Sequence, residues 1–372
     1  MPENDIGVNN NLEEHDFFDT VLSREDIWQR LQKTQRAVII YGTGNGADKV
    51  LNELDRLNVR VHGVMASDDF VRGQRFRGYT VQKLSEVGQQ YPNPIILIAF
   101  GTQRREVMSQ ILSIAEKHTV LCADVPVYGD HIFNRRFCLE HLSELRQAYH
   151  LLSDELSRQT YCNVIRFKLT GELHYLTESF SAKDEAFINL MKLNDHESYL
   201  DLGAYRGDTI DELLHYTDGH YQHITALEPD RKTFLKLKEH TAWLTERQLF
   251  NMGIWDHDTD LKFNASQGRG SSIASSGSES LPVTTIDTLY RKRKVSYIKM
   301  DVEGAEEKAI TGGKAVIVRD KPKLNIALYH RSEDIFSIPL LLHSLVPDYS
   351  FYIRQHPHIP AWDLNLYCTL QT

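Results

Sequence analysis

The chain has 372 residues, 41% of them apolar and 25% charged, which excludes a single small module and a globally disordered chain and suggests two domains, or two and a connector. Its 42 basic and 51 acidic side chains give a formal charge of −9 without a long basic run, which argues against a surface built for nucleic acid or anionic lipid. The longest apolar run, Ile95 to Phe100, falls far short of the roughly 20 residues that span hydrocarbon, and the polar start MPENDIGVNNNLEEHD lacks the marks of a secretory signal, so a cytoplasmic protein that does not cross a membrane is expected.

Ser23 reads as an N-cap with Asp26 in the capping-box position, predicting a helix to about Gln35 that closes a leader over residues 1–35. Ala37 to Tyr41 is a continuous apolar run, the pattern of a strand buried on both faces, and it enters Gly42-Thr-Gly-Asn-Gly-Ala47. A helix through Val50, Leu51, Leu54 and Leu57, then strands at Val59–Met65, Ile95–Phe100 and Thr119–Cys122, predict a doubly wound, Rossmann-like accessory domain over residues 36–134. A helical pattern from Arg135 to about Gln159 opens a connector, residues 135–194.

The last domain, residues 195–372, begins with the strand Tyr199–Gly203. Asp208–Tyr216 follows as a helix, His223–Glu228 as a strand, then a helix through Phe234, Leu237 and Leu244 and a third strand, Leu249–Ile254. The Ser- and Gly-rich stretch 264–282 predicts a surface loop or hairpin. Further strands are expected at Val295–Met300 and Leu324–Tyr329, flanking a helix around Ala305–Thr311, and Tyr349–Arg354 with Leu364–Cys368 reads as a hairpin. Cys122, Cys138, Cys162 and Cys368 form no C-x-x-C pair, so neither a disulfide framework nor a thiolate metal site is expected. The fold class is therefore α/β, with two tandem Rossmann-like domains.

The strand-to-helix turn Asp201-Leu-Gly-Ala-Tyr-Arg-Gly207, followed by Glu228 at the end of the next strand, is the most informative constellation. Glycines at 203 and 207 let a ligand touch main chain, and a carboxylate ending the neighbouring strand accepts both hydroxyls of a ribose. Asp201 and Asp208 flank the turn; they repel a pyrophosphate and favour a cationic amino-acid portion, as in S-adenosylmethionine. His330, directly after the strand ending at Tyr329, stands where a general base for an acceptor hydroxyl belongs.

Asp201-Leu-Gly-Ala-Tyr-Arg-Gly207 with Thr209, Leu227-Glu-Pro-Asp230 and Ile298-Lys-Met-Asp-Val-Glu-Gly-Ala-Glu306 together resemble the FkbM-type class I S-adenosylmethionine-dependent methyltransferases over about residues 195–372. Leu328-Tyr-His-Arg331 and the terminal hairpin share in the likeness. The resemblance implies a seven-stranded sheet with a reversed last strand, and O-methylation of a hydroxyl on a sugar, glycan or secondary metabolite. It also implies that Asp201, Gly203 and Gly207 cradle the cofactor's methionine end, that Ala204 and Tyr205 of the same turn border the cofactor, that Glu228 holds its ribose, and that main chain at Met252 and Gly253, ending the third strand, borders its adenine. Tyr205 stands where the family commonly has Asn. Asp301 is expected to bind the cofactor's ammonium group, orient the acceptor or ligate a divalent metal, although no metal ligand is assigned. Glu303 and Glu306 read as charges at a helix start, and His356 and His358 as loop residues of the hairpin.

Gly42-Thr-Gly-Asn-Gly-Ala47 fits a dinucleotide fingerprint, but acids appear only at Asp68 and Asp69, past the usual ribose position. An oxidoreductase using this loop, or a non-enzymatic nucleotide-binding module, is the alternative function. Arg291-Lys-Arg-Lys294 reads as a solvated loop. The partners expected are a small-molecule or glycan acceptor; the sequence is silent on oligomeric state.

Overall fold

Strands made only of aliphatic and aromatic residues need cover on both faces, and helices on both sides of a parallel sheet supply it. In the computed structural model, which describes residues 14–264, 272–273 and 279–370, two such sheets form. Helices α1 (Glu14–Ser23) and α2 (Ile27–Lys33) precede the first. Its strands are β1 (Val38–Tyr41), β2 (Gly63–Ala66), β3 (Arg75–Phe76), β4 (Tyr79–Lys83), β5 (Ile95–Ile98) and β6 (Thr119–Cys122), in the order β3-β4-β2-β1-β5-β6. All pairs are parallel except β3 with β4. Helices α3 (Asn45–Arg56), α4 (Leu84–Gln90) and α5 (Arg105–Ala115) make the crossovers.

Helix α2 starts later than its sequence suggests. Ser23 closes α1, its hydroxyl donating to the Thr20 carbonyl, whereas Asp26 caps α2 and shares a reciprocal pair of hydrogen bonds with Gln29. Asp26 prevails because its other oxygen also accepts the Arg135 backbone N–H, 109 residues away, a tie that local patterning does not reveal.

Within the connector the helical stretch runs past Gln159 to Thr177 and is broken. Helices α6 (Arg135–Glu140), α7 (Leu142–Leu151), α8 (Glu155–Thr170) and α9 (Leu173–Thr177) are followed by a π-helical segment at Glu185–Met191. Asp154 breaks the pattern by capping α8, accepting the Ser157 N–H. Phe133, Phe137, Leu145, Tyr161 and Phe167 from this region pack in one cluster with Ile39 and Ile96 of the first sheet and with Ile298, Ile326 and Ile353 of the second. A buried ion pair between Lys168 and Asp124, at 2.8 Å, ties α8 to the end of β6.

The second sheet takes strands β7 (Ser198–Leu202), β8 (His223–Leu227) and β9 (Arg247–Phe250). Between β9 and the remaining strands lie β10 (Gly253–Ile254), β11 (Thr259–Asn264), β12 (Ser272–Ile273) and β13 (Glu279–Thr284), a separate small sheet in the order β10-β13-β11-β12. Strands β14 (Tyr297–Met300), β15 (Lys323–Ala327), β16 (Tyr349–Gln355) and β17 (Leu364–Leu370) complete the order β16-β17-β15-β14-β7-β8-β9. Here β17 runs antiparallel to β15 and β16. Helices α10 (Asp208–Tyr216), α11 (Arg231–His240), α12 (Ile286–Leu289), α13 (Glu306–Thr311), α14 (Lys314–Asp320) and α15 (Asp334–Leu345) cover it; the sequence reading did not foresee α14 and α15.

Two sequence expectations change. The third strand ends at Phe250, and Gly253 belongs to β10 in the small sheet, because Asn251 turns away to donate to the carbonyls of Glu228 and Pro229. Of the loop expected over 264–282, residues 272–273 and 279–282 are strands paired to β11, while 265–271 and 274–278 lie outside the described residues, as does the start of the leader, residues 1–13. No helix among the described residues is long and apolar enough to cross a membrane.

Candidate active site

At the carboxyl ends of β7, β8, β14 and β15 the second sheet opens into a cavity of about 230 Å³, with a polar floor. Strand register builds that floor. Tyr367, Asn325 and Lys299 stand side by side on β17, β15 and β14 and line it, with Asp201 next in the same row on β7 but sealed beneath the turn.

One half of the cavity is formed by Gly203, Tyr205, Leu227, Glu228, Met252, Gly253, Ile254 and Leu281. Gly203 has φ +84°, and a Cβ there would lie 2.0 Å from the Asp301 carbonyl oxygen, so no other residue fits this close crossing of β7 and β14. The N–H groups of Gly203 and Ala204 donate to the Leu227 carbonyl, turning the chain beneath Glu228. The Glu228 carboxylate accepts N–H groups from Tyr205 at 2.9 Å and Asp230 at 2.8 Å. It is fixed at the lip by main chain, with lone pairs left on both oxygens. Burial raises its pKa to about 7, against the pull of those two N–H donors. Tyr205 has φ +46°, the left-handed region that asparagine tolerates better than tyrosine, which gives a backbone reason for the asparagine common in the resembling family.

Asp201 lies beneath the turn, fully buried, with Thr209 donating to Oδ2 and no hydrogen bond to Oδ1. Burial lifts its pKa to about 6, opposed by the Lys299 ammonium. Asp201, Ala204 and Gly207 are not among the residues facing the cavity. They build the turn from behind, Gly207 as the N-cap of α10.

The other half contains Asp301, whose Oδ2 is 3.2 Å from Lys299 Nζ and whose Oδ1 accepts the Tyr329 hydroxyl at 3.0 Å. Burial alone would raise its pKa, but Lys299, His330 and Tyr329 outweigh it and hold the carboxylate below its usual range. His330 sits behind Asp301 and is 1% exposed. Its Nδ1 is 2.8 Å from Glu306 Oε1, and its Nε2 is 3.3 Å from Asp301 and 3.7 Å from Glu303. Burial works against a charged imidazole here, yet Glu306 and Asp301 raise its pKa well above the ordinary value. His330 is thus a buried imidazolium with both nitrogens facing carboxylates, and it does not face the cavity. The raised pKa and the seat behind Asp301 give no support to the general base expected at His330.

Glu303 does face the cavity. Burial, aided by Asp301 and Glu306 and opposed by His330, raises its pKa to about 7. Asp301, Glu306 and His330 also form a set whose ligand atoms lie within 4.8 Å of one another. In this structure those groups pair with each other and with Lys299.

The structure brings Gly203, Tyr205, Glu228, Met252, Gly253 and Asp301 to one cavity and places His356 and His358 on its far wall. His356 bridges the Ser181 carbonyl and the Tyr367 hydroxyl, and His358 Nδ1 lies 2.9 Å from the Pro360 carbonyl, so both are buried hairpin residues. Sequence reasoning missed Lys299 and Tyr329, although both lie in quoted motifs. It also missed Lys183, Asn325, Trp362 and Gln103, which come from separate segments and leave no local signal. The glycine loop of the first sheet does not line this cavity. Gly46 lies so close to Ala99 that a Cβ would approach its carbonyl oxygen to 2.5 Å, a packing requirement between α3 and β5. Arg291 to Lys294 are exposed, as expected.

Residues 201–362 match the family described as methyltransferase FkbM domain, and residues 34–120 match one described as C2185-like, N-terminal. A crystal structure of methyltransferase FkbM from Methylobacillus flagellatus KT is similar over 95% of this chain and 93% of its own, with 20% identity and a TM-score of 0.69. More distant likenesses include an rRNA methylase from Streptococcus thermophilus (10% identity, 49% of this chain and 91% of that one, TM-score 0.33) and Aeropyrum pernix fibrillarin with bound S-adenosyl-L-methionine (13%, 50% and 72%, TM-score 0.32). No curated protein matches the chain in sequence.

Proposed function

The chain carries a methyltransferase FkbM domain in its C-terminal half, and from that premise we propose that it transfers a methyl group from S-adenosylmethionine to a hydroxyl of a sugar, glycan or secondary metabolite. The observation that carries this reading is Glu228, held by two backbone N–H groups at the end of β8 and facing the cavity beside the Gly203 turn. That is where a ribose sits at the carboxyl end of such a sheet. The anionic Asp301, which faces the cavity, fits the positively charged end of the same cofactor.

S-adenosylmethionine, when bound, supplies the methyl group and its electrophilic sulfonium. Within the chain, Glu228 accepts the ribose hydroxyls and main chain at Met252 and Gly253 borders the adenine. Asp301, kept ionised by Lys299, faces the ammonium group. Glu303 takes the proton from the acceptor hydroxyl, because its pKa of about 7 suits proton acceptance at neutral pH and it faces the cavity. Tyr329 and Lys299 hold Asp301 in place, so the reactants meet in a fixed geometry.

Thermal unfolding tests this reading. S-adenosylhomocysteine at 100 times its dissociation constant is expected to add about 2.7 kcal/mol to the stability of the binding domain, and NAD none. Glu228→Ala should abolish the shift. Because that change also strands the Tyr205 and Asp230 N–H groups, Glu228→Gln, which keeps an acceptor, is measured beside it and should weaken binding without unfolding the turn. A full shift in both variants would place the ribose elsewhere, and a shift with NAD alone would favour the oxidoreductase.

A pH dependence follows from the same residue. Ribose hydroxyls donate to the ionised carboxylate, and the raised pKa of about 7 leaves Glu228 increasingly protonated as pH falls. Affinity for S-adenosylhomocysteine, measured by calorimetry between pH 5.5 and 8.5, should rise with pH through about 7, and Glu228→Gln should flatten the profile. A wild-type profile that is already flat would exclude this role.

A further inference from the structure

The far wall of the cavity is not made by the methyltransferase sheet alone. The loop after β5 in the first sheet runs into the turn between β16 and β17. There the Thr102 N–H donates to the Ile359 carbonyl at 2.8 Å and the Ile359 N–H returns to the Thr102 carbonyl at 2.9 Å. This two-bond antiparallel bridge fixes the hairpin loop to the other sheet.

One residue earlier, Gly101 lies directly against Trp362. A Cβ at Gly101 would lie 2.5 Å from two carbons of the indole ring and 3.1 Å from His358 Cε1. Only a bare backbone lets the ring rest there. Gln103, one residue past the bridge, lines the cavity together with Trp362, His358, Asp363 and Asn325. Asn325 is 4% exposed and its Oδ1 has no hydrogen-bond partner, an unmet acceptor on a residue that lines the cavity. An indole ring surrounded by amides and a carboxylate suits a ring with one apolar face and several hydroxyls.

We propose that the first sheet builds one wall of the acceptor site: Gln103 contacts the acceptor, and Gly101 and Thr102 hold Trp362 as the platform for the apolar face of a neutral pyranoside. This rests on the methyltransferase reading for which half of the cavity the cofactor takes. It assigns the N-terminal sheet a part in acceptor recognition through the loop after β5, independent of the glycine loop after β1.

The test uses the full chain saturated with S-adenosylhomocysteine and a set of methyl glycosides of neutral hexopyranoses and 6-deoxyhexopyranoses, with binding followed by saturation-transfer NMR and titration. At least one glycoside should bind the wild type. Gln103→Ala and Trp362→Ala should each weaken it about tenfold or more, with S-adenosylhomocysteine affinity within about twofold of wild type. Gly101→Ala should weaken it too, by displacing the indole. Gln103→Ala is the cleanest variant, because an exposed loop side chain is removed without disturbing the bridge. Glycoside affinity unchanged in both Gln103→Ala and Trp362→Ala would overturn the proposal, and so would a wild-type complex that binds none of the glycosides. Failure of the wild type to bind S-adenosylhomocysteine would instead count against the methyltransferase reading.

Discussion

Replacing His330 by alanine is expected to lower stability by about 3–5 kcal/mol, the usual cost of removing one partner from a buried charge cluster. In a unit of this size that corresponds to a fall in Tm of roughly 6–20 °C. The imidazolium lies between Asp301, Glu303 and Glu306 at 3.3, 3.7 and 2.8 Å, and Glu306 Oε2 already has no partner. Asp334, buried nearby, has its pKa raised well above normal by burial and by Glu306. Without His330, three carboxylates face one another with no imidazolium between them. The pH sign follows: a histidine whose folded pKa is raised stabilises fully below its unfolded value of about 6.5, and that contribution fades as pH rises through the raised value. The deficit of His330→Ala should therefore be largest in mild acid and shrink in alkali. Urea unfolding at pH 6 and pH 9 measures it, and a midpoint close to wild type at pH 6 would mean that the carboxylates are neutralised without the ring.

Glu303→Gln should leave the fold and S-adenosylhomocysteine affinity near wild type while lowering kcat by roughly 10²–10⁴, the range for loss of a general base. The wild-type kcat should rise through about pH 7 as Glu303 ionises, and this limb should be absent from the variant. A turnover within a few fold of wild type would leave alignment as the main source of rate. The contrast with His330 is one of position. Both residues follow parallel strands at the same end of the sheet, but Glu303 faces the cavity and His330 is sealed behind Asp301.

The same contrast shows what patterning conveys. The all-apolar strands β1 and β5 were legible because burial on both faces leaves no alternation. The Gly203 turn and Glu228 were legible because a close backbone crossing and a strand-end carboxylate each demand a particular residue type. The start of α2 was misread because Asp26 owes its role partly to Arg135. The third strand was overextended because apolar character continues past Asn251 into the small sheet. The surroundings of His330 were illegible for a related reason: its pKa is raised by Asp301 and Glu306, 29 and 24 residues earlier, and proximity in space, not order in the chain, decides which carboxylates reach it.

By itself the sequence determined the α/β class, the parallel strands, the glycine turn and the carboxylate beside it, because each follows from interactions within a few residues or from a periodicity the chain carries. Only the tertiary structure decided which titratable groups face solvent, which histidine nitrogen meets which carboxylate, and that Gln103, from the loop after β5 of one sheet, reaches the cavity of the other. Those properties depend on electrostatics and contacts summed over segments distant in sequence, and they acquire values only when the two sheets are packed together.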